Sequence, residues 1–223
     1  MKIDRATLAG ALGGVFAVIS WGVSFALVRA GTNQGLHAVD FVFLRYGVAG
    51  LFAATALPFC WRAVAKIGIW KGLALTAAAG PVFFFLGSSG FAYAPLAHGA
   101  IIQPSTVAIG GLLLGASIFG ERLTIRKLMG VAGIVAGILL VGSSSLIAGN
   151  ENTWIGDLLF AAAGSFWLVF TLLVRLWRVD PVAGTILVNV TSAVAVLPGY
   201  LTFAQFDRLA VMSVASLASQ TLV

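Results

Sequence analysis

Residues 93–141, YAPLAHGAIIQPSTVAIGGLLLGASIFGERLTIRKLMGVAGIVAGILLV, decide the fold of this chain. They contain one apolar run, 99–119, and open a second, 128–146, and each run is long enough to cross a bilayer as a helix. The short segment between the runs carries four charged side chains, those of Glu121, Arg122, Arg126 and Lys127. Such a connection fits a tight polar hairpin at a membrane surface. The sequence therefore predicts two antiparallel, neighbouring membrane helices.

The composition supports an integral membrane protein. The chain is 60% hydrophobic and 9% charged, with a mean hydropathy of +1.05, so it could not cover a water-soluble surface with polar groups. Its net charge of +6 would suggest nucleic acid in a soluble protein, but basic residues at span ends also set membrane orientation. We therefore expect the lipid bilayer and a small-molecule solute as partners, and no nucleic acid; the sequence leaves a homodimer open.

Hydropathy predicts an all-α polytopic protein with seven complete spans and the start of an eighth. The expected spans are 6–28, 39–59, 72–92, 99–119, 128–146, 155–177 and 182–203. A last apolar run opens at Leu209 and reaches Val223 after about fifteen residues, fewer than the roughly 20 that a span needs. We expect the sequence to stop within helix 8.

The central stretch resembles a known family. Tyr93-Ala94-Pro95-Leu96, a proline early in the following span and the turn Gly120-Glu121-Arg122-Leu123-Thr124 resemble the end of an EamA domain. This domain is the repeat unit of the drug/metabolite transporter (DMT) superfamily. The resemblance implies a ten-helix secondary transporter with two five-helix repeats in inverted orientation. It also implies a metabolite, amino acid or drug-like solute as substrate.

An internal comparison points to a repeat without the family. A shift of 146 positions gives eight identities in twenty ungapped positions, including Gly10 with Gly156, Trp21 with Trp167 and Arg29 with Arg175. Helix 6 therefore looks like a second copy of helix 1. Because five spans, an odd number, separate the copies, the second copy points the opposite way through the membrane. We expect a first repeat over 6–147 and an incomplete second repeat over 154–223.

Basic residues predict the orientation. With a cytoplasmic amino terminus, ten Lys and Arg side chains lie on the inner side and three lie on the outer side or in the outer half of helix 2. This is the positive-inside pattern. We expect a bacterial-type plasma (inner) membrane protein with its amino terminus in the cytoplasm.

No enzyme motif is present, so we predict no catalytic residues. The sequence has no HExxH, nucleophile elbow, Walker loop or GxGxxG. His37 and His98 have no carboxylate or cysteine cluster at ligand spacing, and Cys60 is the single cysteine. We therefore expect neither a metal nor a cofactor.

Several residues are candidates for a substrate cavity between the repeats. Arg45 lies inside a span, where it either snorkels to the surface or serves function; an arginine early in the second helix of EamA domains favours function. Two helix breaks are predicted, at Gly80-Pro81 in helix 3 and at Gln103-Pro104-Ser105 near the start of helix 4. They are either kinks or sources of free backbone groups for a cavity. Trp21 and Trp167 lie mid-helix, where they either line a cavity or pack in the core. The full set is Trp21, Arg45, Gly80, Pro81, Gln103, Pro104, Ser105 and Trp167.

The hairpin residues Glu121 and Arg122 fit a structural turn better than a substrate site, because charges settle at helix ends. The leading function is therefore an alternating-access carrier, a permease or exporter whose solute sits between the repeats. The alternative is a non-transporting membrane scaffold or partner subunit with the same bundle. A channel is a third reading, and saturable flux would exclude it.

Overall fold

The computed structural model describes residues 4–148 and 152–203, and these residues contain no β-strand. They form seven long helical segments, which we number in chain order: α1 Arg5–Asn33, α2 Ala38–Ile67, α3 Ile69–Gly90, α4 Leu96–Phe119, α5 Ile125–Ala148, α6 Thr153–Trp177 and α7 Pro181–Phe203. Six of them are long and apolar enough to cross a membrane, and α5 has 24 residues. Most of the predicted loop between the repeats, 149–151, and the run from Leu209 lie outside the described residues.

Helix α2 is longer and less regular than predicted. It continues through Pro58 to Ile67, and Gly68 alone separates it from α3, so the long connection implied between the expected spans 39–59 and 72–92 is wrong. The helix persists because Val64 and Ile67 are buried in a hydrophobic cluster. Gly68 makes the sharp turn with a φ of +79°, which favours glycine. One segment, Phe43–Gly47, is a π-helix.

Helix α3 is broken at Gly80, as predicted, into α3a (Ile69–Ala79) and α3b (Pro81–Gly90). Proline lacks the N–H that would continue the helix. Gly80 has no room for a side chain, because a Cβ there would lie 2.3 Å from the Thr76 carbonyl oxygen and 2.8 Å from Ser192 Oγ. The Tyr46 hydroxyl donates to the Ala79 and Gly80 carbonyls, 2.7 and 3.0 Å away.

The break predicted at Gln103-Pro104-Ser105 is wrong. Helix α4 runs without interruption from Leu96 to Phe119 with Pro104 inside it. Membrane helices tolerate an internal proline because neighbouring groups and small adjustments satisfy the freed carbonyl. The difference from α3 is the preceding residue, which is a helical glutamine here and a non-helical glycine there.

Helix α6 lies at the centre of the described bundle, against α3 and α4, and α7 packs against α2 and α3a. Close approaches occur at glycines, since a Cβ on Gly156 would lie 2.5 Å from Ala94 Cβ and one on Gly164 would lie 2.7 Å from the Gln103 carbonyl oxygen. Glycines also recur along α1 and α5, but a Cβ built on Gly10 or Gly130 would meet nothing within 4 Å beyond its own helix backbone in the described part of the chain. Their helices lie at its edge.

The helix connections lie at two opposite ends of the bundle. We call the end with the connections α1–α2 and α3–α4 the α3–α4 end, and the opposite end, with the connections α2–α3 and α4–α5, the α4–α5 end. Contacts fix which helix ends meet: Arg29 of α1 donates to the Phe91 carbonyl at the first, and Arg175 of α6 pairs with Glu121 at the second.

Candidate functional site

A cavity of about 260 Å³ lies between α1, α2, α3b, α4 and α6. Its lining is mainly aromatic and apolar, with a few serines, one amide and one cation. The lining residues are Ala17, Ser20, Trp21, Ser24, Phe25, Val28, Arg45, Phe83, Phe84, Gly87, Ser88, Phe91, Gln103 and Trp167. An apolar cavity with a few polar groups is the usual form of a small-molecule site.

Three aromatic rings form one wall of the cavity. The Trp21 and Trp167 ring centroids are 5.9 Å apart, and Phe83 lies 5.1 Å from Trp167. Both tryptophans are partly exposed and lie about halfway along their helices. The sequence singled out the tryptophans, but it gave no signal for Phe83, because phenylalanine is common throughout this apolar chain.

Gln103 brings a polar group into this apolar setting. Its residue is 2% exposed, and its Oε1 has no hydrogen-bond partner among the described residues. Glycine at position 87 makes room for it, since a Cβ there would lie 3.3 Å from Oε1. A buried polar atom without a partner costs free energy, about 1–3 kcal/mol, unless a ligand or water satisfies it. The amide is therefore available to a solute.

Arg45 reaches the cavity from the π-helix of α2. Its guanidinium carbon lies 4.8 Å from the centroid of the Phe84 ring, within the range of a cation–π contact. π-helical turns change the direction of side chains and often occur at functional sites. The next residue, Tyr46, bonds the break in α3, so one irregular turn serves both the cavity and the bundle. No sequence pattern indicated this turn.

Four of the predicted cavity residues line the cavity, namely Trp21, Arg45, Gln103 and Trp167, and the other four do not. Gly80 and Pro81 lie where α3 meets α2 and α7, and they are not among the residues that line the cavity. Pro104 and Ser105 follow Gln103 on α4 but do not line the cavity either. The broken helix therefore does not open the Ala79 and Gly80 carbonyls into the described cavity, because the Tyr46 hydroxyl bonds both and the Phe84 N–H also donates to Gly80.

Glu121 fastens the α4–α5 turn to α6. Lys127 Nζ lies 3.2 Å from Glu121 Oε2, and Arg175 Nη2 lies 2.9 Å from Oε1. These two donors hold the pKa of Glu121 below the ordinary value of a glutamate, with Arg175 contributing most. Gly120, with a φ of +64°, ends α4, and the Glu121 N–H donates to the Gly115 carbonyl. Arg122 is exposed and forms no ion pair within the described residues.

A hydrophobic cluster closes the cavity toward the α3–α4 end. Its buried members are Phe25, Val28, Leu36, Phe41, Leu44, Phe91, Ala94 and Phe160. Phe25 and Phe91 belong to both the cavity lining and this cluster, and the Phe91 ring lies 4.8 Å from the Phe160 ring. Arg29 donates to the Phe91 carbonyl and, at 3.5 Å, to the Ala94 carbonyl, so α1 holds the α3–α4 connection in place.

The sequence also matches known proteins. The model of the EamA-like transporter family matches residues 8–143, more than half of the chain. The chain belongs to this family. Over 153 residues it is also 27% identical to an Escherichia coli (strain K12) protein named "Probable amino-acid metabolite efflux pump", a match that covers 69% of this chain and 49% of the relative. No solved structure matches the chain significantly.

The EamA match and the apolar helices together make this an integral membrane protein of a transporter family. The name of that relative describes a transport protein. The chain spans about half the length of that relative. Within the described residues, no three His, Cys, Asp or Glu side chains converge as metal ligands would.

Proposed function

We propose that this protein is a secondary transporter that exports a small solute, an amino acid or a related metabolite, by alternating access. The observation that carries the proposal is the cavity with an aromatic wall and a buried amide, that of Gln103, whose Oε1 has no hydrogen-bond partner in the described part of the chain. Its volume of about 260 Å³ suits a metabolite better than a drug-sized ligand, which usually takes a site of roughly 300–1,000 Å³. The name of the Escherichia coli relative supports the same solute class.

Each part of the cavity has a role in this proposal. Gln103 exchanges hydrogen bonds with the polar end of the solute, and Arg45 supplies positive charge for a carboxylate. The Trp21 and Trp167 rings hold the apolar part. Because the hydrophobic cluster closes the α3–α4 end, the solute does not enter this state of the cavity from that end.

The proposed carrier has ten helices in two inverted five-helix repeats, with the first over 6–147 and the second opening at 154. The sequence match between α1 and α6 and the contact between their equivalent tryptophans support this arrangement. The basic residues support an inner-membrane location with a cytoplasmic amino terminus, so that the α3–α4 end faces outward.

The experiment is solute exchange in proteoliposomes with the full-length protein, using the twenty radiolabelled amino acids as probes. We expect saturable exchange of at least one amino acid, and Gln103→Leu should lower its exchange about tenfold or more, since the variant removes both polar atoms from the cavity. Gln34→Leu, at an exposed position beyond α1, is the matched control and should exchange like the wild type.

Two outcomes would overturn the proposal. One is the absence of exchange for all twenty probes by a folded protein, which favours the scaffold alternative. The other is full exchange by Gln103→Leu, which would place the solute outside this cavity.

A further inference from the structure

A buried histidine and a carboxylate join α4 to α6 at the α3–α4 end. His98 Nδ1 lies 2.7 Å from Asp157 Oδ1. His98 is 1% exposed, whereas the Asp157 side chain is 31% exposed. The carboxylate therefore provides a polar path from the surface to an imidazole that water does not reach directly.

Helix packing alone does not require this pair. Glycines already bring α4 and α6 together: a Cβ on Gly99 would lie 2.9 Å from the Phe160 ring of α6, and one on Gly164 would lie 2.7 Å from the Gln103 carbonyl oxygen of α4. Burying a polar or ionised pair costs solvation that two apolar side chains would not lose. Ionisable groups within membrane spans are for this reason functional candidates.

The pair lies beside the closed end of the cavity. His98 precedes Gln103 by five residues on α4, about 7.5 Å along the helix axis. Phe91 and Phe160, which belong to the hydrophobic cluster that closes the cavity, lie against Gly99 beside His98. If α4 moves away from α6 at this end, the pair separates and the closure opens.

The other charged groups that the structure describes at this end already have bonds of their own. From α1, Arg29 bonds the carbonyls of Phe91 and Ala94. From α2, Asp40 accepts from the His37 N–H and from the Tyr200 hydroxyl of α7. The segment α3b has no ionisable side chain, and the α3–α4 connection adds Tyr93.

We propose that His98 and Asp157 form a proton-binding site whose occupancy determines whether the cavity opens at the α3–α4 end. The proposal deepens the proposed transport function, because a site of this kind links solute exit to the proton. Histidine side chains commonly gain or lose charge between pH 5 and 8. When a proton from the solution binds the imidazole, the contact becomes an ion pair and holds α4 to α6. When the proton returns to the solution, a weaker hydrogen bond from the neutral imidazole to the carboxylate remains.

The test measures access without a solute. Cysteine at position 24, which lines the cavity, is placed in a Cys60→Ser background of the full-length protein in membrane vesicles. A positively charged, impermeant methanethiosulfonate reagent is applied to the face with the α3–α4 connection, from pH 5.5 to 8.5. The rate of modification at position 24 is divided by the rate measured for a cysteine at the exposed position 97, at the same end of the bundle. This ratio removes the pH dependence of thiol chemistry.

We expect the normalised rate to rise about fivefold or more with pH, within the usual range of coupling between two sites. Asp157→Asn and His98→Gln should each remove this dependence, and Asp157→Glu should retain it. Glu121→Gln, at the opposite end, is the control and should keep the wild-type dependence. If the pair were purely structural, these substitutions would change the normalised rate by the same factor at every pH.

The proposal is overturned if the wild-type ratio does not change with pH, or if both neutral variants keep the wild-type change. Because the assay reports access to the cavity without any solute, a failure of the transport proposal appears separately, as absent exchange in proteoliposomes.

Discussion

The indole rings of Trp21 and Trp167 meet in the cavity, 5.9 Å apart between centroids and tilted by 50°. The two residues are 146 positions apart, the shift that aligns α1 with α6. A residue close to a two-fold axis contacts its own counterpart, as in an isologous interface. The contact therefore supports the proposed inverted repeat, with its axis passing near these rings.

The first prediction concerns the Trp21 side chain. Trp21→Ala should lower solute exchange about tenfold or more while the protein still reaches the membrane, because the ring borders the cavity and is only partly buried. Exchange in proteoliposomes and the folded yield in detergent measure the two effects. Trp70→Ala, at a tryptophan that is 82% exposed, should change neither. Loss of folded yield with Trp21→Ala would instead assign the ring to core packing.

The second prediction concerns topology. Reporter fusions after Gly35 and Asn152, at the α3–α4 end, should show an external location, and fusions after Gly68 and Gly120 should show the cytoplasm. The distribution of basic residues predicts this orientation. Alkaline phosphatase and fluorescent-protein fusions measure the two sides. If the fusions after Gly35 and Asn152 report opposite sides, an odd number of spans separates them and the inverted repeat is wrong.

Hydropathy and local chemistry predicted the helices well. Long apolar runs with charged ends indicate membrane helices because unpaired backbone groups are not tolerated in hydrocarbon. The Gly80-Pro81 break was also predicted correctly, since proline removes a donor and glycine leaves the helix readily. Pro104 gave the same signal without a break, because Gln103 before it stays helical.

The arrangement of the site was less accessible from sequence. The π-helix at Phe43–Gly47, which carries Arg45 and Tyr46, depends on contacts such as the one from Tyr46 to Ala79, 33 positions away. The pairing of His98 with Asp157 joins residues 59 positions apart. No helical periodicity encodes contacts of this kind, so each histidine and aspartate looked isolated at a span end.

The third prediction concerns helix packing at Gly156. Gly156→Val should lower the free energy of unfolding by about 1–3 kcal/mol or more, because its Cβ would lie 2.5 Å from Ala94 Cβ and 2.8 Å from the Gly90 carbonyl oxygen. Unfolding in denaturing detergent measures the change. Gly130→Val on α5 is the control, since nothing lies within 4 Å of its Cβ position in the described residues. Equal effects of the two variants would contradict this packing.

The fourth prediction concerns the broken helix. Tyr46→Phe removes the hydroxyl that bonds the Ala79 and Gly80 carbonyls, so the Ala79 carbonyl loses this donor while the Gly80 carbonyl keeps the Phe84 N–H, 3.4 Å away. We expect the free energy of unfolding to fall by about 1–3 kcal/mol. Tyr93→Phe, at a tyrosine that is 42% exposed, should have no measurable effect. A stable Tyr46→Phe variant would mean that another group bonds these carbonyls.

The last prediction concerns Glu121 and pH. Glu121→Gln should destabilise the protein at pH 7.5, because the amide loses the charge that pairs with Lys127 and Arg175. These pairs keep the pKa of Glu121 lowered, so the carboxylate stabilises the fold above its unfolded-state value of about 4.3. This stabilisation disappears as the pH falls through the lowered pKa of the folded state. Unfolding curves at pH 7.5, 5 and 3 should therefore show the wild type and the variant converging only at the acidic end. Arg122→Gln should match the wild type throughout, and a variant of Glu121 that differs equally at every pH would mean that its shape, rather than its charge, stabilises the turn.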